Sequence, residues 1–385
     1  MKITITLILW VLSFYLFAQQ KLPVIRAGSN IAKIHEEGNS ISSWGINPKL
    51  SPDVYTTSKI IKSKMITFKT DLDSITFKIK PGGKHDFIVI LKEKDSCLIR
   101  IKAPELKNYS KLKPAVHDSI FFSLNKYNTN LIPLLFNSTD SLLMNFDTGA
   151  TEMSLTMDAL ETKVKSNTKL YHTLYDIKLG NRSYQSKVYD TQIVGHEADG
   201  VIGWDHFDGM VVELNYDDHL MVVHSKMPDG VVGNAKVSKF NIEYTNNRPF
   251  IKAEIIQNGV VYQELFLFDT GYQKTVMLDE DLLKNKNFPS GNMEIISKVL
   301  MHGTNNNEIP VITANLQKIK LGNYVLENIP AQLLGKRKPM RGIDIHVLGS
   351  EILKRFNTYI DLQRDRIYLL PNRSYNLPFL VDPKS

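Results

Sequence analysis

The sequence predicts a mainly β chain built as two related lobes behind a separate N-terminal β region. Three observations carry that expectation. The tripeptide Asp-Thr-Gly occurs twice, as Asp147-Thr148-Gly149 and Asp269-Thr270-Gly271, each time closing an apolar run that ends in Phe-Asp. A longer repeat surrounds it. Ile177-Lys178-Leu179-Gly180-Asn181 returns as Ile319-Lys320-Leu321-Gly322-Asn323, and Val201-Ile202-Gly203 returns as Val347-Leu348-Gly349. Elsewhere apolar residues alternate with polar ones between Gly-, Pro- and Asn-containing turns, the period of half-buried strands. With each residue type taken at roughly one in twenty, a given tripeptide occurs by chance about 0.05 times in a chain this long. Two copies in a fixed order with other landmarks therefore point to duplication. Two units are too few for a solenoid and suit a pseudo-twofold pair of lobes. The three landmarks recur at offsets of 122, 142 and 146 positions, so the second half is longer, mostly between its first two landmarks.

Hydrophobic-Asp-Thr-Gly followed by hydrophobic-hydrophobic-Gly, present in both halves, resembles the pattern of retropepsin-like and pepsin-like aspartic proteases. The chain looks most like bacterial exported proteins in which two retropepsin-like repeats are fused. The resemblance spans residues 118–372. It implies a bilobal aspartic-protease fold with Asp147 and Asp269 as the catalytic pair. It also implies that the Thr148 and Thr270 hydroxyls bond across the pair and hold the two loops together.

Taken in order, residues 1–18 carry one Lys, a long apolar run and a final Ala, which reads as a secretory signal peptide cleaved after Ala18. Residues 19–115 read as an N-terminal β accessory domain. Ile75, Phe77 and Ile79 alternate with polar residues, Pro81-Gly82-Gly83 turns, and Phe87, Val89 and Leu91 climb a return strand. Cys97, the only cysteine, shares a strand face with Ile99 and Ile101 and reads as core, so no internal disulfide is expected. The role of this region is open between a docking module, a packing extension and a pro-segment.

The first lobe is expected over 116–236 and the second over 237–372, followed by a loosely held tail at 373–385. In the first lobe, 121–135 and 142–146 read as strands and 157–164 as a helix begun by Thr156 or Asp158. A hairpin over 176–194 then turns at Gly180-Asn181, and 211–223 reads as one strand. The second lobe repeats the plan, with strands through 250–268, a helix near 279–286, strands through 319–334 and a helix over 350–356. Its extra segment reads as strand, polar tip and strand, with His302, Gly303, Thr304 and Asn305 at the tip. This is the candidate flap, a lid of the kind that excludes water from active sites.

The chemistry asks for these residue types. Amide hydrolysis without a metal or covalent intermediate needs an activated water and an acid for the carbonyl oxygen. Two carboxyls sharing one proton supply both. At ~3 Å and an effective dielectric of ~20, two carboxylates repel by about 5.5 kcal/mol, roughly four pKa units, so the pair resists double ionisation. Gly149 and Gly271 are expected to let the backbone turn and bring an N–H toward each carboxylate. Gly203 and Gly349 are expected to sit on strands that pass beneath the Asp loops, where a side chain would not fit. Two positions depart from the pattern. Tyr272 stands where a small residue is usual and is expected to narrow the cleft, and His346 stands where the first half has Gly200.

Other classes find no support in the sequence. The net charge of +7 comes from scattered Lys and Arg rather than blocks, so no nucleic-acid surface is expected. No HExxH, Walker loop or GxSxG is present, and His85, His117 and His302 read as isolated, so no metal and no cofactor is expected. No stretch after the first 18 residues is long and apolar enough to stay in a membrane. The sequence therefore reads as an exported aspartic endopeptidase, periplasmic or secreted, acting as a monomer on peptide or protein substrates. The alternative is a non-catalytic peptide-binding relative of the same fold.

Overall fold

The computed structural model describes residues 22–37, 41–166, 168–171, 173–192, 194–302, 308–334 and 344–379. The expected signal peptide, the flap-tip residues Gly303, Thr304 and Asn305, and the end of the tail lie outside these. Among the described residues the chain is almost entirely β, with three short α-helices and five sheets. No described helix is long and apolar enough to cross a membrane.

The N-terminal region forms two four-stranded sheets on one core. One runs Val24–Ala27, Lys84–Leu91, Asp95–Lys102, Asp53–Thr56; the other runs Ile41–Gly45, Ile31–Glu36, Lys64–Lys69, Ser74–Ile79. The alternation read from the sequence is the burial pattern: Phe87, Val89, Cys97, Ile99 and Ile101 are buried together with Ile34, Ile66 and Phe68. Burial also pushes the Cys97 thiol up, away from the reactive thiolate.

Each later half folds into a barrel, and the two barrels share one strand order. In the first, Asn130–Phe136, Asp140–Asp147, Gly200–Gly203, Met153–Thr156, Arg182–Thr191 and Leu174–Leu179 follow one another, and Leu135 pairs with Lys178 to close the ring. In the second, Arg248–Gln257, Val260–Phe268, His346–Leu348, Val276–Asp279, Tyr324–Leu334 and Glu308–Leu321 do the same, closed by Glu254 against Lys320. Ile295–His302 adds an edge strand that the first barrel lacks. Period-two patterning puts Leu142, Met144 and Phe146 inside one barrel and Phe266 and Phe268 inside the other.

A six-stranded antiparallel sheet joins the halves. His117–Phe121, Leu220–His224 and Val211–Asn215 come from the first half, and Ser238–Asn241, Arg366–Pro371 and Phe356–Asp361 from the second. The two sets meet at Val211–Asn215 against Phe356–Asp361, and the order on either side is the same. The duplication is thus visible at three levels: tripeptide, barrel and shared sheet.

Several expectations need correction. Residues 211–223 are a hairpin rather than one strand, turning at 216–219. The run 121–135 is broken at 125–129, where Asn125 accepts from the N–H groups of Tyr127 and Thr129 and folds the backbone into a loop. The tail is anchored over 373–379. The buried Arg355 guanidinium donates to the carbonyls of Ser374, Tyr375, Leu377 and Pro378, and Tyr375 donates to the Val325 carbonyl at 2.9 Å. His117 is not isolated: its Nδ1 lies 3.0 Å from Nδ1 of His224, whose Nε2 faces Glu213 at 2.9 Å.

Candidate active site

The two Asp-Thr-Gly loops meet where the barrels face each other. Asp147 ends its strand and Asp269 directly follows Val260–Phe268, each after a Phe in the core, so burial of Phe146 and Phe268 fixes where the carboxyls emerge. The threonines lock the loops reciprocally. Thr148 N–H donates to Thr270 Oγ1 at 3.0 Å, and Thr270 N–H donates to Thr148 Oγ1 at 3.0 Å. Each hydroxyl then donates across the boundary, Thr270 to the Phe146 carbonyl at 2.8 Å and Thr148 to the Phe268 carbonyl. Both threonines are buried, so the lobes are pinned at this point by satisfied polar groups.

This lock sets the Asp147 and Asp269 carboxyls against one another, each lying beside the glycine of the opposite loop. The glycines matter here for space rather than for backbone freedom. A Cβ on Gly149 would lie 2.6 Å from Asp269 Oδ2, and one on Gly271 would lie 2.3 Å from the Asp147 carboxyl. Each glycine vacates the volume that the opposite carboxyl fills. Its N–H points the other way, to its own Asp: Gly149 to Asp147 Oδ1 at 2.7 Å, Gly271 to Asp269 Oδ1 at 2.8 Å.

The strands beneath the loops follow the same logic. Asp147 pairs with Gly203, and Phe268 with Leu348, both in parallel register. A Cβ on Gly203 would come 2.5 Å from Thr151 Cα, and one on Gly349 would come 2.4 Å from the Lys274 carbonyl. No side chain fits at either crossing.

Electrostatically the two acids differ. Burial, then the charge of Asp269 and the hydrogen bond with it, pushes Asp147 well above the usual carboxyl range; the Gly149 N–H and Arg248 pull the other way. Burial raises Asp269 too, but the bond from Asp147, the N–H groups of Tyr272 and Gly271, and Arg248 all oppose it. Asp269 Oδ1 accepts two backbone N–H bonds, the second from Tyr272 at 2.9 Å, where Asp147 accepts one. Burial raises both acids, and the one proton they share belongs to the pair.

Tyr272 lies beside the second Asp loop, its N–H on Asp269 Oδ1 at 2.9 Å. Its ring packs with Phe250, Leu267, Ile345 and Val347 on the face of the second barrel's sheet turned away from its core, and its hydroxyl donates to Gln332. The matching first-lobe positions by register include Leu131, Asn145 and Val201, so the flank beside Asp147 is more polar. His346 is wholly buried: Nδ1 accepts the Asp279 N–H at 3.0 Å, and Nε2 lies 3.8 Å from Glu264. It braces a helix start inside the second barrel. A Cβ on its counterpart Gly200 would meet the Ser154 carbonyl at 2.1 Å.

Sequence reasoning missed Arg248. Its Nε donates to the Gly149 carbonyl at 2.6 Å, and its charge acts on both acids. Nothing in Asn246-Asn247-Arg248-Pro249 marks it, because its partner is 99 positions earlier. A second acidic group, Asp279, Asp281 and Asp344, has carboxylate oxygens within 4.8 Å of one another. Asp279 there caps the helix Glu280–Asn285, accepting from the N–H groups of Asp281 and Leu282 at 2.9 and 3.2 Å. The cluster has none of the reciprocal threonine support of the Asp147/Asp269 pair.

No family model matches the chain, and no curated protein matches it. Among solved structures it is similar to the crystal structure of aspartic proteinase from Irpex lacteus, at 12% identity and a TM-score of 0.46, over 69% of this chain and 100% of that one. An overlap this distant decides nothing further by itself. The bilobal, mainly β architecture rests on the strand order and register described above.

Proposed function

We propose that the protein is an exported aspartic endopeptidase that cleaves peptide bonds with a water held between Asp147 and Asp269. The observation that supports this reading most is the reciprocal threonine lock that sets two half-buried carboxyls against each other at the meeting of two lobes. The ionised carboxyl of the pair takes a proton from the water as the water oxygen bonds to the peptide carbonyl carbon. The protonated carboxyl gives its proton to the carbonyl oxygen. The resulting diol collapses as the C–N bond breaks: the first carboxyl returns its proton to the leaving amine, and a diol hydroxyl returns one to the second. The products are a free acid and a free amine, and the pair is restored. Because both loops lie in one chain, a monomer suffices. Export rests on the reading of residues 1–18 as a signal peptide.

Incubating the purified chain with a mixed peptide library, read by mass spectrometry, tests this. Internal cleavage by the wild type is expected, with loss of turnover by a factor of about 10³ or more in Asp147→Asn and in Asp269→Asn. Persistent turnover in both variants contradicts the mechanism. Peptide retention without cleavage, equal in all three proteins, supports the non-catalytic binding relative instead.

A further inference from the structure

Arg248 opens the strand Arg248–Gln257 of the second barrel, yet its guanidinium reaches the first barrel's Asp loop. It is half-buried. Nε donates to the Gly149 carbonyl at 2.6 Å and Nη1 to the Asn246 carbonyl at 3.1 Å. The same Gly149 donates its N–H to Asp147 at 2.7 Å, so one residue is held by the arginine and in turn holds the acid. The opposite side is built differently: Asn128 Nδ2 donates to the Gln273 carbonyl at 3.0 Å, while its Oδ1 accepts from Lys354 Nζ at 2.8 Å.

Its chain neighbour Asn247 is held by the N-terminal region and by Trp204 of the first lobe. Asn247 accepts the Lys59 N–H at 2.7 Å, donates its own N–H to Ser58 Oγ at 3.3 Å, and accepts Trp204 Nε1 on its carbonyl at 2.8 Å. Lys59 and Ser58 belong to the N-terminal region. The Lys59 ammonium is buried between Asp208 at 2.8 Å and Asp365 at 2.6 Å and also donates to the Leu362 carbonyl at 3.0 Å.

We propose that Arg248 is a positioning residue for the Asp147/Asp269 pair, a cation that the N-terminal domain fixes through Asn247 so that it orients the Gly149 peptide and favours the singly ionised pair. This rests on reading Asp147 and Asp269 as catalytic. The charged groups around it fit. Asp147 and Asp269 lie within electrostatic reach of the guanidinium, whose hydrogen bonds go to the Gly149 and Asn246 carbonyls. Beyond Asn247, Lys59 is spent on Asp208 and Asp365. Across the Gly149 loop Asp205 accepts the Glu152 N–H at 2.8 Å, while the Glu152 side chain engages Tyr189. Tyr272 is neutral, its hydroxyl raised by burial. Arg248 is therefore the cation that pulls both acids down against burial, and its loss must move both ionisations of the pair to higher pH.

The test is the pH profile of kcat/KM on a cleaved peptide for the full chain, Arg248→Met and Arg248→Lys. Arg248→Met is expected to move both limbs upward by about one pH unit. Arg248→Lys keeps the charge but not the Nε bond, so the limbs stay near the wild-type position while kcat falls about tenfold. A fall in kcat with superimposable limbs in Arg248→Met overturns the proposal, because a merely structural arginine would give that result. If Arg248→Met does not fold, Arg248→Gln, which removes the charge and keeps a polar side chain, must shift the limbs in the same direction, and unshifted limbs overturn the proposal. Failure of the catalytic reading is separate: it shows as a wild type without Asp147-dependent turnover. Carboxyl titration of the pair by NMR then still reads the effect of Arg248, with the same upward shift expected and its absence overturning.

Discussion

At the scale of single residues, the site is a problem of placing two like charges and then relieving them. Burial raises both acids, and Gly149 N–H, Gly271 N–H, Tyr272 N–H and Arg248 lower them. The sign of the stability effect follows. A carboxyl whose folded-state pKa lies above its ordinary value of 3.8 stabilises the fold fully below 3.8 and loses that contribution as pH rises through the folded value. The wild type should therefore lose thermal stability as pH climbs through the range of the pair. Asp147→Asn should lose less, with a Tm above wild type at neutral pH and a shrinking advantage toward pH 4. Thermal unfolding across pH checks this, and parallel curves for the two proteins would contradict it. The acids themselves were legible in the sequence, because Asp-Thr-Gly is a local word repeated. Arg248 was not, because its meaning is the Gly149 carbonyl across the lobe boundary.

At the scale of elements, the short strands Gly200–Gly203 and His346–Leu348 decide whether the Asp loops can form. Each lies between the strand that carries its Asp and the strand that follows the loop. A methyl at Gly203 meets backbone, Thr151 Cα at 2.5 Å and the Ala150 carbonyl at 2.7 Å, which cannot rotate away. Gly203→Ala should cost about 1–3 kcal/mol of stability and displace Ala150 and Thr151 beside the first Asp loop. Denaturant unfolding together with peptide turnover checks both, and a stable, fully active variant would refute the crossing. The strands and most turns followed from alternation and from Gly, Asn and Asp turn chemistry. The break at 125–129 did not, because Asn125 folds that loop with side-chain bonds inside a run that alternates like a strand. The hairpin within 211–223 was legible, because Asn215-Tyr216-Asp217-Asp218-His219 interrupts the apolar run with turn residues that the reading as one strand passed over. The anchored tail was hidden because Arg355, its holder, sits on another element.

At the scale of the whole molecule, the N-terminal domain is joined to both lobes by one buried cation. Lys59 is 4% exposed and its two partners, Asp208 and Asp365, are 10% and 7% exposed. Removing a partner from such a group leaves buried charge uncompensated, so Lys59→Met should destabilise the chain by about 3–5 kcal/mol. Chemical denaturation reads this directly, and a change within error would contradict an integral N-terminal domain. The same contact argues against a pro-segment shed on maturation, since cutting it away would strand both aspartates. None of this was readable in the sequence: Lys59 lies in an unremarkable Ser-Lys-Ile stretch, and its carboxylate partners are 149 and 306 positions on.

All three scales converge on two acids that act as one ionising unit. The most direct test is kcat/KM for one identified peptide as a function of pH, in the wild type and in the Asp147→Asn/Asp269→Asn double variant. A bell with two separated limbs in the wild type, and no measurable cleavage in the double variant, is the predicted result. A single limb near the ordinary carboxyl value, or cleavage that survives the loss of both acids, would contradict it.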